Sequence, residues 1–311
     1  MQLNEKVQDM KLQKGQSVSQ VVQQMKDSGG FTAKKLAVAA DILAGMIGDE
    51  KSVNFLSFPA CITATGTRGL IRDMVKEKMF DVIITTCGTL DHDLARTHED
   101  YFHGEFEMDD AKLHDEGVNR LGNVLVPNES YGIVLERIMQ PVLQELWDEG
   151  KRDISTKELA WEFGRRLGNE ETILYWAAKN EIPVYVPGIT DGAFGYQVWQ
   201  FAQDHKEFRI DLLKDEKELA DIVFTAEKTG ALMVGGGISK HHTIWWNQFR
   251  DGLDSAVYIT TAVEHDGSLS GARVREAVSW GKVRKDASYV TVEGDATILL
   301  PVIMNAVIDR L

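Results

Sequence analysis

The sequence predicts an α/β fold: a Rossmann-like, mostly parallel sheet with helices on both faces. Short apolar runs of strand length alternate with amphipathic helical stretches along most of the 311 residues, as in chains that wrap helices around a parallel sheet. Nearly every polar segment that contains glycine comes directly after one of these apolar runs. Because ligands bind at the carboxyl ends of strands in open parallel sheets, these segments predict one continuous binding edge.

Each predicted element follows from its hydrophobic pattern. The apolar runs predict strands at residues 53–58, 82–86, 123–126, 184–186, 232–235 and 256–260. The amphipathic stretches predict helices at residues 33–46, 67–78, 131–147, 156–167, 171–180, 216–229, 243–250 and 297–309. The polar segments of the binding edge are residues 59–66, 85–93, 187–192, 235–237 and 260–266.

Composition limits the classes of protein that this chain can represent. With 43% hydrophobic and 26% charged residues it has the makeup of an ordinary globular protein with an ample core. The formal net charge of −14 disfavours a nucleic-acid partner and suits cationic small molecules or a basic protein partner. Its two cysteines, Cys61 and Cys87, fit a reducing cytoplasm. No apolar run reaches the ~18 residues of a membrane span and no signal peptide is visible, so we expect a cytoplasmic protein.

Residues 1–16 are predicted to form a polar N-terminal arm, and residues 17–311 a single catalytic α/β domain. The arm carries Lys6, Lys11 and Lys14, and Gly15 separates it from the core pattern. No internal repeat or low-complexity linker divides the rest of the chain. We expect the arm to be mobile when it is unpaired.

A triple glycine, Gly235-Gly236-Gly237, lies between a predicted strand and a helix that begins near Ser239. Glycines let a backbone approach a phosphate and a helix N-terminus offers N–H donors, but a tight structural turn explains the same pattern. The spacing is not the Gly-x-Gly-x-x-Gly fingerprint of dinucleotide sites. His241 and His242 follow at once; adjacent helical side chains point about 100° apart, so we predict no metal site.

Two lysines are candidate nucleophiles. Lys282 follows Trp280 by two residues, and a lysine attacks a carbonyl or imine carbon only when it is unprotonated. A free lysine has a pKa of about 10.4; burial against an aromatic wall lowers it, and the Trp280 ring also suits a cationic substrate. The same residues also fit a helix end with a packed tryptophan and a solvated lysine. Lys240 is the rival, but its place at a glycine loop suits phosphate or carboxylate contact better.

The segment 276–282, Glu-Ala-Val-Ser-Trp-Gly-Lys, resembles the active-site signature of the deoxyhypusine synthase family. So do the preceding Asp-Gly-Ser at 266–268 and Ser-Gly-Ala at 270–272, and the segment Gly-Gly-Gly-Ile-Ser-Lys-His-His at 235–242. The similarity runs from about Gly30 to the C-terminus, through Leu-Gly-Asn at 121–123 and Val-Pro-Asn-Glu at 126–129. These long motifs keep their order and spacing, which makes chance similarity a poor explanation.

The resemblance implies a deoxyhypusine synthase-type NAD-binding fold and assigns roles motif by motif. In that family the lysine of Trp-Gly-Lys forms a covalent imine intermediate, which implies this role for Lys282. His241 is implied to contact the amine substrate and help handle protons, and Glu276 to be a third catalytic residue. The implied NAD contacts are Ala60, Cys61, Thr63, Ala64, Thr86, Cys87, Gly88, Asp191, Gly236, Thr261, Ala262, Asp295 and Ala296. The implied amine-binding residues are Trp280, Asp266, Gly267 and Ser268.

The resemblance also implies an activity and an assembly. The family uses NAD to dehydrogenate spermidine, and diaminopropane then leaves. The butylamine part passes to the enzyme lysine and from there to a lysine of the translation initiation factor 5A precursor. The retained NADH reduces the final imine on that acceptor lysine. The family forms homotetramers, dimers of dimers with active sites at the dimer interface, in which an N-terminal segment can cover a neighbouring entrance. A homospermidine synthase-like transferase with a free amine acceptor such as putrescine needs the same lysine and cofactor. A non-catalytic NAD-binding assembly protein fits less well, because the catalytic motifs are intact.

Two positions depart from the family pattern, which carries acids there. Tyr196 stands shortly after the Thr-Asp-Gly motif, and Leu269 interrupts a motif that usually reads Asp-Gly-Ser-Asp-Ser-Gly. A charge-assisted hydrogen bond contributes roughly 1.5–3 kcal/mol, so losing two lowers affinity about a hundredfold to ten-thousandfold. The segment Asp91-His92-Asp93 is a candidate source of replacement anions. The Tyr196 ring is a candidate for a cation–π contact that replaces a charge. We expect a divergent, archaeal-type branch whose donor is spermidine held differently or another aminobutyl amine.

Overall fold

The chain divides into two compact units in a computed structural model that describes residues 5–311. Unit 1 comprises the chain up to Ser57 together with Asp221–Leu311, and unit 2 comprises Phe58–Ala220. A single domain spanning residues 17–311 stays a prediction. Each unit is described by itself below.

Helices and strands alternate along the described chain, which confirms the predicted α/β class. The helices are α1 (Val18–Asp27), α2 (Phe31–Ile47), α3 (Thr67–Lys76), α4 (Cys87–Ala95), α5 (Asp110–Asp115), α6 (Val134–Asp148), α7 (Thr156–Leu167), α8 (Ile173–Lys179), α9 (Ala193–Asp204), α10 (Leu212–Thr225), α11 (Ile238–Asn247), α12 (Val274–Ser279) and α13 (Ala296–Ile308). The strands are β1 (Ser52–Phe58), β2 (Val82–Thr85), β3 (Phe102–His103), β4 (Val118–Leu121), β5 (Val124–Pro127), β6 (Asp153–Ile154), β7 (Val184–Tyr185), β8 (Arg209–Ile210), β9 (Lys228–Val234), β10 (Leu253–Thr260) and β11 (Val283–Glu293). Within residues 5–311, no helix is long and apolar enough to cross a membrane.

Unit 1 is built on parallel strands in the order β11-β10-β9-β1. Helices α2, α11, α12 and α13 pack against these strands. The last residues of β9 and β10 pair in register, Val234 with Ile259, and Thr260 pairs with Glu293 of β11. The segments that follow β9, β10 and β11 therefore leave the sheet side by side, as the predicted binding edge requires.

Two expectations for unit 1 were wrong in detail. The predicted helix 216–229 ends at Thr225 as α10, because Lys228 begins β9 and pairs with Ser52 of β1. Strand β11 was not predicted at all. Its residues 285 and 286 are the exposed Lys285 and Asp286, so it lacks the continuous apolar run that marks a buried strand.

Unit 2 contains three small groups of paired strands. Strands β2 and β7 are parallel, and so are β6 and β8. The predicted strand 123–126 corresponds to β5, which lies in an antiparallel sheet between β3 and β4 and not in a parallel one. Gly122, with a φ of 61°, makes the tight turn from β4 to β5, a local connection that only antiparallel neighbours can use. Residues 87–93, expected in a polar loop, begin α4 instead.

The described part of the predicted arm lies against α1 and α2 of its own unit. The backbone N–H of Gln8 donates to the carbonyl of Asp27 over 3.1 Å, and Glu5 pairs with Lys34 over 3.1 Å. Ser17 then caps α1 in a capping box with Gln20. Residues 1–4 of the arm lie outside the described residues, and a role over a neighbouring entrance stays a prediction.

Candidate active site

Lys282 lies in a cavity of about 340 Å³ in unit 1. The residue is only 8% exposed. Its Nζ lies 5.3 Å from the ring centroid of Trp280 and 5.8 Å from that of Trp245. The predicted aromatic wall is therefore present, and Trp245 adds a second ring that the sequence did not indicate. Trp280 itself is 68% exposed, so one face of it remains open to a ligand.

The backbone holds Lys282 between a helix end and a strand. Helix α12 stops at Ser279, and Gly281 takes a φ of 67°, which favours glycine. The N–H of Lys282 then donates to the carbonyl of Ala277 over 3.0 Å, and its own carbonyl accepts from the N–H of Leu253 over 3.1 Å. Strand β11 begins at the next residue, so the lysine side chain projects from a fixed backbone.

The other two predicted catalytic residues line the same cavity. His241 of α11 stacks on Trp245 with ring centroids 5.8 Å apart. Burial, and then the charge of Lys282, lower the pKa of His241, so the ring is neutral and can accept a proton near pH 7. Glu276 of α12 supplies the single carboxylate among the cavity-lining residues of the described chain. Over residues 5–311, no cluster of histidines, cysteines or acids is placed to hold a metal.

The loop that carries the predicted amine-binding motif reaches the cavity through Leu269, and not through its polar residues. Asp266, Gly267 and Ser268 are exposed and do not line the cavity. Hydrogen bonds from Ser268, including its N–H over 2.7 Å, lower the pKa of Asp266. The carboxylate is therefore firmly ionised, but amine binding by these three residues stays a prediction.

Lys240, the rival nucleophile, is committed to backbone contacts. It is 3% exposed, and its Nζ donates to the carbonyls of Leu269 over 2.8 Å and Ala272 over 2.6 Å. Burial lowers the pKa of Lys240 to about 7, while Glu276 acts in the opposite direction. Two carbonyl acceptors favour the ammonium form against that burial. Lys282 is therefore the better candidate nucleophile.

One group of predicted cofactor residues lies at the sheet edge of unit 1: Gly236, Thr261, Ala262, Asp295 and Ala296. The N–H of Gly235 donates to Ile259, and that of Gly294 to Thr260, over 2.8 and 2.9 Å, which holds the three segments together.

The triple glycine fits a phosphate at one of its positions. Gly237 has a φ of 73° and open space where a Cβ would stand, and no side chain caps α11 behind it, so the first N–H groups of that helix remain available for a phosphate. Gly236 packs against the neighbouring loop, since an added Cβ would lie 2.1 Å from Ser270 Oγ; its contact with NAD stays a prediction. Asp295 caps α13 through the N–H of Thr297 over 2.7 Å.

The second group of predicted cofactor residues lies in unit 2: Ala60, Cys61, Thr63, Ala64, Thr86, Cys87, Gly88 and Asp191. The N–H of Ala60 donates to Thr86 Oγ1 over 3.0 Å. A Cβ on Gly88 would lie 2.8 Å from Ala60 Cβ, and one on Gly192 would lie 2.7 Å from Cys87 Sγ. Three distant sequence segments therefore meet within unit 2. Cys61 and Asp191 are exposed, whereas Thr63, Ala64 and Cys87 are buried; contact with NAD stays a prediction.

Asp91, one of the candidate replacement anions, is a buried helix cap. Its carboxylate accepts from the Tyr131 hydroxyl over 2.6 Å and from the N–H groups of Ala193 and Phe194 over 3.0 and 2.7 Å. It therefore closes the N-terminus of α9. Burial raises the pKa of Asp91, against these hydrogen bonds.

Asp93 is held in the same way. It accepts from the N–H groups of Ile173 and Leu174, both over 3.0 Å, and pairs with Arg68 over 3.2 Å. Both carboxylates of this cluster therefore already have hydrogen-bond or ion-pair partners in this structure. Amine binding by Asp91 stays a prediction.

Tyr196 stands on α9 and is 55% exposed. Its ring centroid lies 5.5 Å from that of Trp199, which is equally exposed. The helix thus presents a pair of aromatic faces to solvent, as a cation–π contact requires. Cation binding by Tyr196 stays a prediction.

His92 makes stability depend on pH. Burial, and then Arg96, lower the pKa of His92 to about 4, and its Nδ1 lies 2.9 Å from the Tyr101 hydroxyl. An unfolded histidine has a pKa of about 6.5, so the unfolded chain binds more protons between these values. We expect the contribution of His92 to be complete above pH 6.5 and lost as the pH falls towards 4, by at most about 1.4 kcal/mol per pH unit.

Thermal unfolding between pH 7.5 and 4.5 measures this contribution. His92→Gln is expected to flatten the loss of stability over that range. His103→Gln, at an exposed position on β3, is the control and should keep the wild-type slope. A His92→Gln curve parallel to wild type contradicts the prediction.

The fold and the cavity together define an α/β enzyme with a buried lysine at its candidate centre. The chain matches the deoxyhypusine synthase family over residues 20–307. It is 56% identical to a probable deoxyhypusine synthase of Picrophilus torridus, over 97% of this chain and 96% of that protein. A probable deoxyhypusine synthase of Thermoplasma acidophilum is 54% identical, over 97% of each chain. The chain belongs to the deoxyhypusine synthase family, and its relatives at 45–56% identity are archaeal.

Solved structures show the same fold at lower identity. A putative deoxyhypusine synthase from Entamoeba histolytica has a TM-score of 0.68 and 19% identity, with 96% of both chains covered. AgrE, in a ternary complex with ornithine and NAD+, has a TM-score of 0.53 and 14% identity over 90% of this chain and 34% of that one. Both similarities concern the fold alone.

Proposed function

We propose that this protein transfers the aminobutyl group of spermidine, through an imine on Lys282, to a specific lysine of the translation initiation factor 5A precursor. One observation carries the proposal: Lys282 is buried in a cavity with Trp280, Trp245, His241 and Glu276. Limited access of water slows hydrolysis of a covalent imine, and Lys282 is only 8% exposed. Membership of the deoxyhypusine synthase family supports the same conclusion.

The residues around the lysine fit the proposed steps. The Lys282 amine attacks the imine carbon formed from the donor, diaminopropane leaves, and the aminobutyl part stays bound to Lys282. Neutral His241 accepts the proton that the donor nitrogen gives up. Glu276 holds an ammonium group by charge, and Trp280 and Trp245 hold it by their ring faces.

We propose NAD as the redox cofactor. When bound, NAD would supply the hydride acceptor for oxidation of the donor and, once reduced, the hydride for reduction of the final imine. In unit 1, Gly237 and the uncapped first turn of α11 are suited to a phosphate. In unit 2, the segments at Ala60–Ala64 and Thr86–Gly88 supply a second group of candidate contacts.

We also propose a cytoplasmic homotetramer, a dimer of dimers, on the basis of family membership. Light scattering coupled to gel filtration measures the assembly directly. A mass of four chains supports the proposal, and a mass of one chain overturns it.

The activity is tested with purified protein, NAD, the factor 5A precursor and spermidine labelled in its butylamine part. We expect the label on one lysine of the acceptor, equimolar release of diaminopropane, and no transfer when NAD is omitted. Transfer to added putrescine but not to the factor supports the homospermidine synthase-like alternative. No transfer to either acceptor overturns both.

Leu269 tests how the donor is held. Leu269→Asp restores a carboxylate in the cavity wall, and a charge-assisted hydrogen bond to an ammonium contributes roughly 1.5–3 kcal/mol. We therefore expect the KM for spermidine to fall at least about tenfold. Leu269→Asn is the matched control, because asparagine has the shape of aspartate without its charge. Its KM for spermidine should be higher than that of Leu269→Asp. Equal KM values for the two variants would show that position 269 does not face a donor amine.

A further inference from the structure

Three side chains hold the backbone of residues 269–272 by its carbonyl groups. The Tyr258 hydroxyl donates to the carbonyl of Ser270 over 2.6 Å, and Thr260 Oγ1 donates to the same oxygen over 3.0 Å. Lys240 Nζ donates to the carbonyls on either side, those of Leu269 and Ala272. We call Tyr258, Thr260 and Lys240 the loop clasp.

The members of the loop clasp also contact each other. Lys240 Nζ lies 3.7 Å from the ring centroid of Tyr258, a separation at which an ammonium and a ring face attract. All three residues are buried, Tyr258 completely. Buried hydrogen bonds between fixed partners hold geometry more tightly than exposed ones.

Two glycines let the loop lie close to the sheet edge. A Cβ on Gly236 would lie 2.4 Å from Ser270 Cα, and a Cβ on Gly271 would lie 2.0 Å from the carbonyl oxygen of Val263. The triple-glycine segment and the loop are therefore packed backbone against backbone.

The loop forms one wall of the cavity that holds Lys282, through Leu269 and Ala272. We propose that Tyr258, with Lys240 on its ring, is a positioning residue: through the loop clasp it fixes this wall relative to Lys282 and so sets donor binding. Tyr258 does not touch the substrate in this role. The kinetic consequence rests on the proposed transferase function, whereas the effect on loop motion does not.

Hydrogen exchange measured by mass spectrometry tests the structural part. Tyr258→Phe removes the hydroxyl and keeps the ring under Lys240. The N–H groups of Gly271 and Ala272, both bonded to the Ser268 carbonyl over 3.1 Å, report on the loop. Because one net hydrogen bond is lost, we expect their exchange to quicken about three- to tenfold, with no change in β9 peptides.

Donor kinetics test the functional part. We expect Tyr258→Phe to raise the KM for the amine donor by a similar factor and to leave kcat within about twofold, because the loop sets binding and Lys282 is untouched. Lys240→Met should quicken hydrogen exchange in the same loop peptide. In the double variant, exchange should quicken by less than the sum of the two single effects on free energy. Tyr185→Phe, at another fully buried tyrosine on a strand, is the control.

Two outcomes overturn the loop clasp: unchanged loop exchange in Tyr258→Phe, or faster exchange throughout β9 and β10, which would mean general core packing. If the wild type shows no transfer from spermidine, the exchange result still decides whether the loop clasp holds the loop. Failure of the proposed function and failure of the loop clasp are thus separated.

Discussion

Replacing Lys282 by alanine is expected to abolish the covalent aminobutyl adduct and to lower transferase activity at least about a thousandfold, as removal of a nucleophile does in other enzymes. Among the described residues, the other lysine that lines the cavity is Lys240, and its Nζ is bound to two backbone carbonyls. A shift of that amine towards the donor would break both hydrogen bonds.

The measurement is the intact mass of the protein after incubation with NAD and spermidine and reduction with borohydride. Wild type should gain one aminobutyl group, and Lys282→Ala none. Lys285→Ala removes an exposed lysine three residues further on and should keep the adduct. An adduct that persists in Lys282→Ala but disappears in Lys240→Met would assign the chemistry to the rival lysine.

The sequence predicted the contacts in this cavity that arise within one short motif. Trp280 and Lys282 are two residues apart, so their proximity follows from one short segment. Trp245 lies on α11, and only the tertiary fold places its ring centroid 5.8 Å from Lys282 Nζ. The spacing between Trp245 and the Trp280-Gly281-Lys282 motif does not indicate that contact. The contact therefore could not be predicted from the local sequence.

The same distinction explains which strands were predicted. Strand β9 has the buried apolar run Ala231 to Val234, which marks a central parallel strand. Strand β11 lies at the edge of the sheet, and only Val283 and Val292 among its residues are buried, a pattern that also fits a surface loop. The short strand β5 has a clear apolar signal, but whether it pairs in a parallel or antiparallel way depends on the turn at Gly122.

Glycine motifs were the least specific signals. Gly235, Gly236 and Gly237 predict a close backbone approach, and the structure shows one at Gly236 but not at Gly237. Gly236 accommodates Ser270 of the neighbouring loop, whereas Gly237 leaves space beside the first turn of α11. A sequence cannot tell which partner approaches a glycine, because the partner is set by the tertiary fold.

Asp91→Ala is expected to lower the free energy of unfolding by about 2–4 kcal/mol, since it leaves three donors, one of them buried, without their acceptor. These donors are the hydroxyl of Tyr131 and the N–H groups of Ala193 and Phe194. Two of them begin α9, so the loss includes a helix cap, worth about 1 kcal/mol. Urea denaturation followed by circular dichroism measures the change.

The variant also separates the two roles proposed for this carboxylate. If Asp91 is a structural cap, Asp91→Ala unfolds at lower urea, while the surviving folded fraction keeps the wild-type KM for the donor. Asp191→Ala, which removes an exposed acid from the same unit, should unfold like wild type. If Asp91 instead holds a donor ammonium, KM rises at least about tenfold with little loss of stability. That result would mean that the hydrogen bonds to α9 rearrange when the amine binds, and that the missing family acids are replaced from this helix after all.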